Sequence, residues 1–185
     1  MTLLARNLTV HLKPLIDDTL ALYESSRAPV KVVMDEPLPP VLADSNQLRQ
    51  VIHNLVKNAL EAVEEKPKGH IRVATHLLDD QDRPQLELAV EDNGGGIDES
   101  LIDRLFEPYV TTKAKGTGLG LAIVKKIIEE HGGIIWAENV NGGARVAARL
   151  PLWRDEHHEE VTKEPLVALP PQAKGPSTQP DRERA

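Results

Sequence analysis

Apolar residues at Leu48, Val51, Ile52, Leu55, Val56, Ala59 and Val63 recur at i, i+3, i+4, i+7 spacing through five turns. A long helix places them all on one face, and that face must be buried. Asp44 or Ser45 suits its N-cap. The helix is expected to end near Lys66, because Pro67 disfavours helical geometry in the residue before it and Gly69 breaks what remains. Two alternating runs follow, 71–78 and 85–91, separated by the polar stretch Asp79-Asp80-Gln81-Asp82-Arg83-Pro84, and these predict a hairpin.

Around this centre the chain alternates in the same manner. Residues 8–12 predict a short strand, Pro14 suits the first turn of a helix to about Ser25, and 30–34 is a second β-branched run. Glu36-Pro37-Leu38-Pro39-Pro40 is too proline-rich for a helix or central strand and is expected to be a connector. Residues 101–105 predict a helical turn and 119–131 a second long helix. Strands are expected at 134–139 and 145–150, with Asn141-Gly142-Gly143 turning between them. After Trp153 the apolar pattern collapses into a segment rich in Pro, Glu and Gln, so the expected division is a domain over 1–153 and a disordered tail over 154–185.

Composition narrows the function classes. Hydrophobic residues are 40% of the chain but aromatics only 3%, so the core must be built from Leu, Val, Ile and Ala, which suits a mixed helix and sheet domain. A formal net charge of −7 argues against nucleic acid or an anionic membrane as the main partner, so any phosphate binding must be local. There is no cysteine, which removes disulfides, thiolate metal sites and thiol chemistry and is compatible with a reducing cytoplasm, the expected setting. No apolar run approaches the ~20 residues that span a bilayer, and direct membrane insertion is not expected.

Four polar features carry chemistry. Gln47, Gln50, Asn54, Asn58 and Glu61 form a stripe beside the apolar one, and two amides one turn apart can offer their oxygens to one cation. A solvated helix face would look the same. Glu91-Asp92-Asn93-Gly94-Gly95-Gly96-Ile97 follows a predicted strand; an acid there can accept a hydrogen bond from an exocyclic amine, and Gly94 and Gly96 allow close approach. Lys115-Gly116-Thr117-Gly118-Leu119-Gly120-Leu121 runs into a helix, where free backbone N–H groups and the helix N-terminus can surround phosphate oxygens. It lacks the Gly-Lys-Ser/Thr of a Walker A loop, and it does not follow a strand directly as a Rossmann turn does. Phe106-Glu107-Pro108-Tyr109-Val110-Thr111-Thr112-Lys113 is a candidate lid between the last two.

In this order and spacing the four resemble the sensor histidine kinases over residues 8–151, closest to nitrogen-regulation sensors. Asn54-Leu55-Val56-Lys57-Asn58-Ala59 is similar to the N box, 92–97 to the first glycine box, 106–113 to the F box and 116–120 to the second glycine box. The resemblance implies a two-layer α/β sandwich, the Bergerat ATP-binding fold, with helices on one face of a mixed sheet and ATP beneath a mobile lid. It implies ATP and Mg²⁺ as ligands. Asn58 would ligate Mg²⁺ with support from Asn54, and Asp92 would bond the adenine amino group. Gly94, Gly96 and Ile97 would shape the adenine pocket. Gly116, Gly118, Leu119 and Gly120 would line the phosphates, with Lys57, Lys113 and Thr117 as further phosphate contacts.

Such kinases carry an acceptor hairpin with a histidine followed by an acid. Nothing of that length precedes Leu8, and His11, His53, His70, His76 and His131 lack the context. The implied partner is therefore an acceptor-histidine domain, in trans or in a longer parent chain, with a response regulator downstream. His158-Glu159 has the acidic neighbour but lies on the wrong side of the domain, and His157 with His158 is read as solvated charge, not a metal pair. Ala144 stands where the family often has a hydroxyl residue. Two other readings stay open: a nucleotide-binding regulatory module without transfer, and an anti-sigma-type serine kinase. Clamp ATPases of the gyrase and heat-shock kind place a carboxylate base one turn before the metal-binding asparagine, where this chain has Asn54, an amide that cannot take a proton.

Overall fold

The computed structural model describes residues 8–78, 84–113 and 116–152. The elements run β1 (Leu8–Val10), α1 (Leu12–Leu20), β2 (Val30–Met34), β3 (Val41–Ala43), α2 (Ser45–Ala62) and β4 (Ile71–Leu78). They continue with β5 (Gln85–Asp92), α3 (Glu99–Ile102), α4 (Gly120–Glu130), β6 (Ile134–Val140) and β7 (Gly143–Pro151). The predicted tail, with His157 and His158, and the hairpin connector 79–83 lie outside the described residues.

One five-stranded sheet has the order β2-β4-β5-β7-β6. Only β2 and β4 are parallel; the other three pairings are antiparallel, so the sheet is mixed. Parallel neighbours need a long crossover, and the crossover from β2 to β4 contains α2, which is thereby laid on the sheet. Its buried side chains Leu48, Val51, Ile52, Leu55, Val56 and Ala59 meet one face of the strands. From the sheet, Ile71, Val73, Leu86, Leu88, Ala148 and Leu150 face them, and Val124, Ile127 and Ile128 of α4 and Leu12, Leu15 and Ile16 of α1 complete the core. Each such side chain is worth about 1.5–3 kcal/mol on burial. The result is the two-layer α/β sandwich that the resemblance implied.

The opposite face of the sheet has a different chemistry. Ala74, Ala89 and Ala147 form its floor, buried under charged neighbours. Glu87 is only 6% exposed, a burial a carboxylate tolerates when it is paired, and it meets both Arg145 and Arg149. Both guanidiniums lie over Trp136, at 5.8 and 4.9 Å from the ring centroid.

Several boundaries differ from the sequence expectation. α1 starts at Leu12, which had been assigned to the first strand, and Pro14 sits in its first turn. α2 stops at Ala62, because Val63, Glu64 and Lys66 turn back in tight i to i−3 bonds instead of extending the helix to Lys66. α3 begins earlier than expected because Asp98 caps it, accepting the Ser100 N–H at 2.9 Å. β3 was not anticipated: three residues are too few to show a period, and they become a strand by pairing with β1.

Candidate nucleotide site

Asp44 starts α2 by accepting the Asn46 and Gln47 N–H groups at 2.8 and 3.1 Å. With the apolar stripe turned to the sheet, Asn54 and Asn58 are left half-buried, one turn apart, on the flank that borders a cavity of about 870 Å³. Lys57 and Glu61 stand at its edge. In β5 the alternation that buries Leu86, Leu88 and Val90 carries Asp92 onto the same face, at the strand's end and in the cavity wall.

Asp92 Oδ1 accepts N–H groups from Gly94 at 2.8 Å and Ala144 at 3.4 Å. Burial pushes its carboxyl pKa up, and this outweighs the lowering by those two bonds and by Lys66 and Lys113. The other carboxylate oxygen has no hydrogen-bond partner among the described residues. Gly94 itself does not line the cavity; it packs against the end of α2, where a Cβ would come within 2.7 Å of the Ala62 carbonyl oxygen. Gly96 has φ +77, and Ile97 is held by Asn139 in two bonds, its N–H donated at 2.7 Å and its carbonyl accepting at 2.8 Å.

On the far side, Tyr109 donates its N–H to the Gly118 carbonyl at 3.0 Å, so the two loop segments 106–113 and 116–120 pack backbone to backbone. Gly116 donates to the Lys113 carbonyl at 3.0 Å, and the Thr117 hydroxyl accepts the Leu119 N–H at 3.4 Å at the entry to α4. No side chain caps that helix, which leaves first-turn N–H groups open to an anion. The space a Cβ would take at Gly120 lies 3.8 Å from Asn54 Oδ1. The start of α4 therefore faces the asparagines. Lys113 Nζ reaches across to Glu61, which also lies 4.0 Å from Lys57.

Asn54, Lys57, Asn58, Asp92, Gly96, Ile97, Lys113, Gly116, Thr117, Gly118, Leu119 and Gly120 thus border one cavity; Gly94 is behind it. Lys115 is outside the described residues. A second cavity of similar size, about 920 Å³, between 26–29 and 63–70, shares Glu61 and Glu64 with it but none of these twelve residues, and side-chain chemistry, not size, separates the two. Among the described residues no group of three or more His, Cys, Asp or Glu could hold a metal ion, and no helix is long and apolar enough to cross a membrane.

Residues 43–154, more than half of the chain, match the family described as histidine kinase-, DNA gyrase B- and HSP90-like ATPase. The catalytic domain of histidine kinase ThkA, in a nucleotide-free form, superposes with a TM-score of 0.70 at 33% identity over 79% of this chain and 95% of that one. This chain belongs to the histidine-kinase ATP-binding family. Among its relatives, the sensory histidine kinase/phosphatase NtrB of Rhizobium leguminosarum bv. phaseoli is 36% identical over 85% of this chain and 44% of its own length. The nitrogen regulation protein NtrY of Azorhizobium caulinodans is 42% identical over 71% of this chain and 18% of its own length. This ATP-binding domain is therefore close to those of nitrogen-regulation sensors, and the chain spans less than half the length of these two relatives.

Several residues that support the candidate site carried no sequence signal. Asn139 clamps Ile97 from 42 residues away. Lys66 donates to the Asn93 and Gly94 carbonyls, at 3.1 Å to the latter. Glu61 and Lys113 were each legible, in the polar stripe and in the lid segment, but their pairing was not.

Proposed function

We propose that this domain binds Mg·ATP in the 870 Å³ cavity and transfers the γ-phosphoryl group to a histidine on an acceptor domain, in trans or in a longer parent chain, for passage to a response regulator. The observation that carries this is the opposition of Asn54 and Asn58 to the uncapped start of α4, with a half-buried carboxylate at the other end of the same cavity. Residues 1–153 are taken as the catalytic unit, and the need for ATP supports a cytoplasmic setting.

The donor set suits Mg²⁺, a hard cation that accepts amide oxygens and keeps most of its ligands from phosphate and water. Bound there, it would neutralise charge on the phosphate oxygens. Asn58 would hold it with support from Asn54. The α4 N-terminus, Gly116, Thr117 and Gly118 would surround phosphate oxygens, with Lys57 and Lys113 adding positive charge. The free oxygen of Asp92 would accept the adenine amino group, and Gly96 and Ile97 would bound the base. Asn54 cannot take a proton from water, so hydrolysis without an acceptor should be slow.

Calorimetric titration with a non-hydrolysable ATP analogue, with and without Mg²⁺, tests the site; transfer to an added acceptor-hairpin protein tests the reaction. Saturable, Mg²⁺-sensitive binding that Asn58→Ala weakens at least about tenfold is expected. No binding at millimolar analogue would overturn the proposal, and binding without transfer would leave a nucleotide-regulated module.

A further inference from the structure

Asp92 is the side chain that would read the base, yet the β5–β7 ladder stops one residue short of it, at the pair Glu91↔Arg145. Beyond that rung, β7 reaches Asp92 in two ways. The Ala144 N–H donates to Asp92 Oδ1 at 3.4 Å. The Gly143 backbone is pressed so closely against Asp92 that a Cβ would fall 1.8 Å from the Asp92 carbonyl oxygen. Ala144 has no side-chain functional group with which to hold itself in place. On its outer edge this end of β7 stays paired with β6, at Asn139↔Ala144 and Val140↔Gly143; toward β5, where the ladder has stopped, the side chain that ties it is the next residue along, Arg145.

Arg145 projects to the opposite face of the sheet and joins three strands there. Its Nε lies 3.2 Å from Glu91 on β5, its Nη1 2.6 Å from Glu138 on β6, and its Nη2 pairs with Glu87. Arg72 on β4 holds Glu91 from the other side at 3.2 Å. With its side chain 16% exposed, Arg145 is the most buried cation of this group. A planar fork of five N–H donors can meet carboxylates on several sides at once, a spread that a compact ammonium with three donors matches less well.

We propose that Arg145 is a positioning residue for base selectivity: by tying the end of β7 to β5 and β6 it sets the Ala144 N–H that orients the Asp92 carboxylate. The inference rests on the adenine role proposed for Asp92. It acts through the backbone and not through charge on Asp92, because the guanidinium lies on the other side of the sheet. Arg149 provides a matched control: it also pairs with Glu87, at 3.0 Å, and stacks on Trp136, but it sits opposite Glu87, five residues from the Ala144 contact to Asp92.

The test is titration of Mg·ATP and Mg·GTP analogues into the whole chain and into Arg145→Ala, Arg145→Lys, Glu91→Gln, Arg149→Ala and Asp92→Asn variants, with melting temperatures for each. Arg145→Ala is expected to reduce the ATP-over-GTP affinity ratio about tenfold, by weakening ATP binding, with GTP affinity little changed. Arg145→Lys should recover part of the ratio, and Glu91→Gln should lose part of it. Arg149→Ala should lower the melting temperature and keep the ratio. The inference is overturned if Asp92→Asn loses the ratio while Arg145→Ala and Glu91→Gln both keep it. It is equally overturned if Arg145→Ala and Arg149→Ala weaken both nucleotides alike in step with melting temperature. An unchanged ratio in Asp92→Asn would instead sink the adenine assignment itself, and this inference with it.

Discussion

The Nε2 of His131 accepts the backbone N–H of Asp44 at 3.0 Å, across 87 residues of sequence. Its Nδ1 lies 2.7 Å from the Ile127 carbonyl oxygen, which can only accept, so Nδ1 carries the proton and Nε2 is bare. One buried imidazole therefore joins the C-terminal end of α4 to the N-cap of α2, and these helices bear the two opposing walls of the candidate nucleotide cavity. Replacing it with alanine leaves a backbone donor unpaired and opens a void. His131→Ala should cost about 2–3 kcal/mol in urea unfolding. His131→Gln, which keeps both a donor and an acceptor, should recover part of that; equal losses in the two variants would contradict the bond's role.

Asp92 predicts a separation of stability from binding. Burial raises its folded-state pKa above the usual aspartate value of 3.8, so folding favours the protonated form. Its contribution to stability is full below 3.8 and is lost as pH rises through the folded value, so at neutral pH the ionised group is a net liability. Asp92→Asn should therefore melt no lower than wild type at neutral pH. With Oδ1 still held by the Gly94 and Ala144 N–H groups, the variant would aim its NH₂ at the base, donor against donor, and lose ATP affinity. In wild type, analogue affinity should fall on acidification at a pH above that of an ordinary aspartate. A variant that melts lower yet binds ATP normally would contradict both.

Two glycines give opposite expectations. Gly118 has φ +65, and a Cβ would sit 2.5 Å from the Tyr109 carbonyl carbon, an atom of the backbone that cannot move aside cheaply. Gly118→Ala should cost about 1–3 kcal/mol locally and appear as weaker nucleotide binding. Gly95, two residues earlier in the chain than Ile97, has nothing within 4 Å of its Cβ position. Gly95→Ala should be neutral within about 0.5 kcal/mol. Calorimetry and thermal melting of the pair check both.

Glu61 would compete with phosphate for the two lysines proposed to contact it. It pairs with Lys113 from the lid segment and lies 4.0 Å from Lys57 on its own helix, with all three side chains more than a third exposed or close to it. Such pairs are worth under about 1 kcal/mol each. Glu61→Gln should tighten analogue binding by about two- to fivefold at low salt, with the gain fading at high salt. Weaker binding in that variant would show that Glu61 itself contacts the ligand.

Much of the fold was legible because its signals are local. The α2 stripe, the capping aspartate and the two alternating runs of β4 and β5 each lie within one window, and each became the expected element. Asn141 and Gly142, with φ of 34° and 80°, form the hairpin turn their types suggest. The errors fell at ends and in short pieces. β3 exists through its pairing with β1, and α2 stops where Val63 turns back, outcomes that depend on neighbours and not on period.

The candidate site divides in the same way. Asn54 and Asn58 share a flank because 3.6 residues make a turn, and Asp92 faces the cavity because a strand alternates; the chain's own periodicity determined both. That these flanks meet, with the start of α4 opposite Asn54, depended on which face of the sheet took the helices. The Asn139 clamp on Ile97, the His131 bond to Asp44 and the carboxylates around Arg145 were decided by tertiary structure alone. They join residues that are distant in sequence, with no pattern to announce them; His131 and Glu87 are buried polar groups that had to find partners, while the exposed Asn139 clamp follows from where the chain brings β6 beside the loop at Ile97.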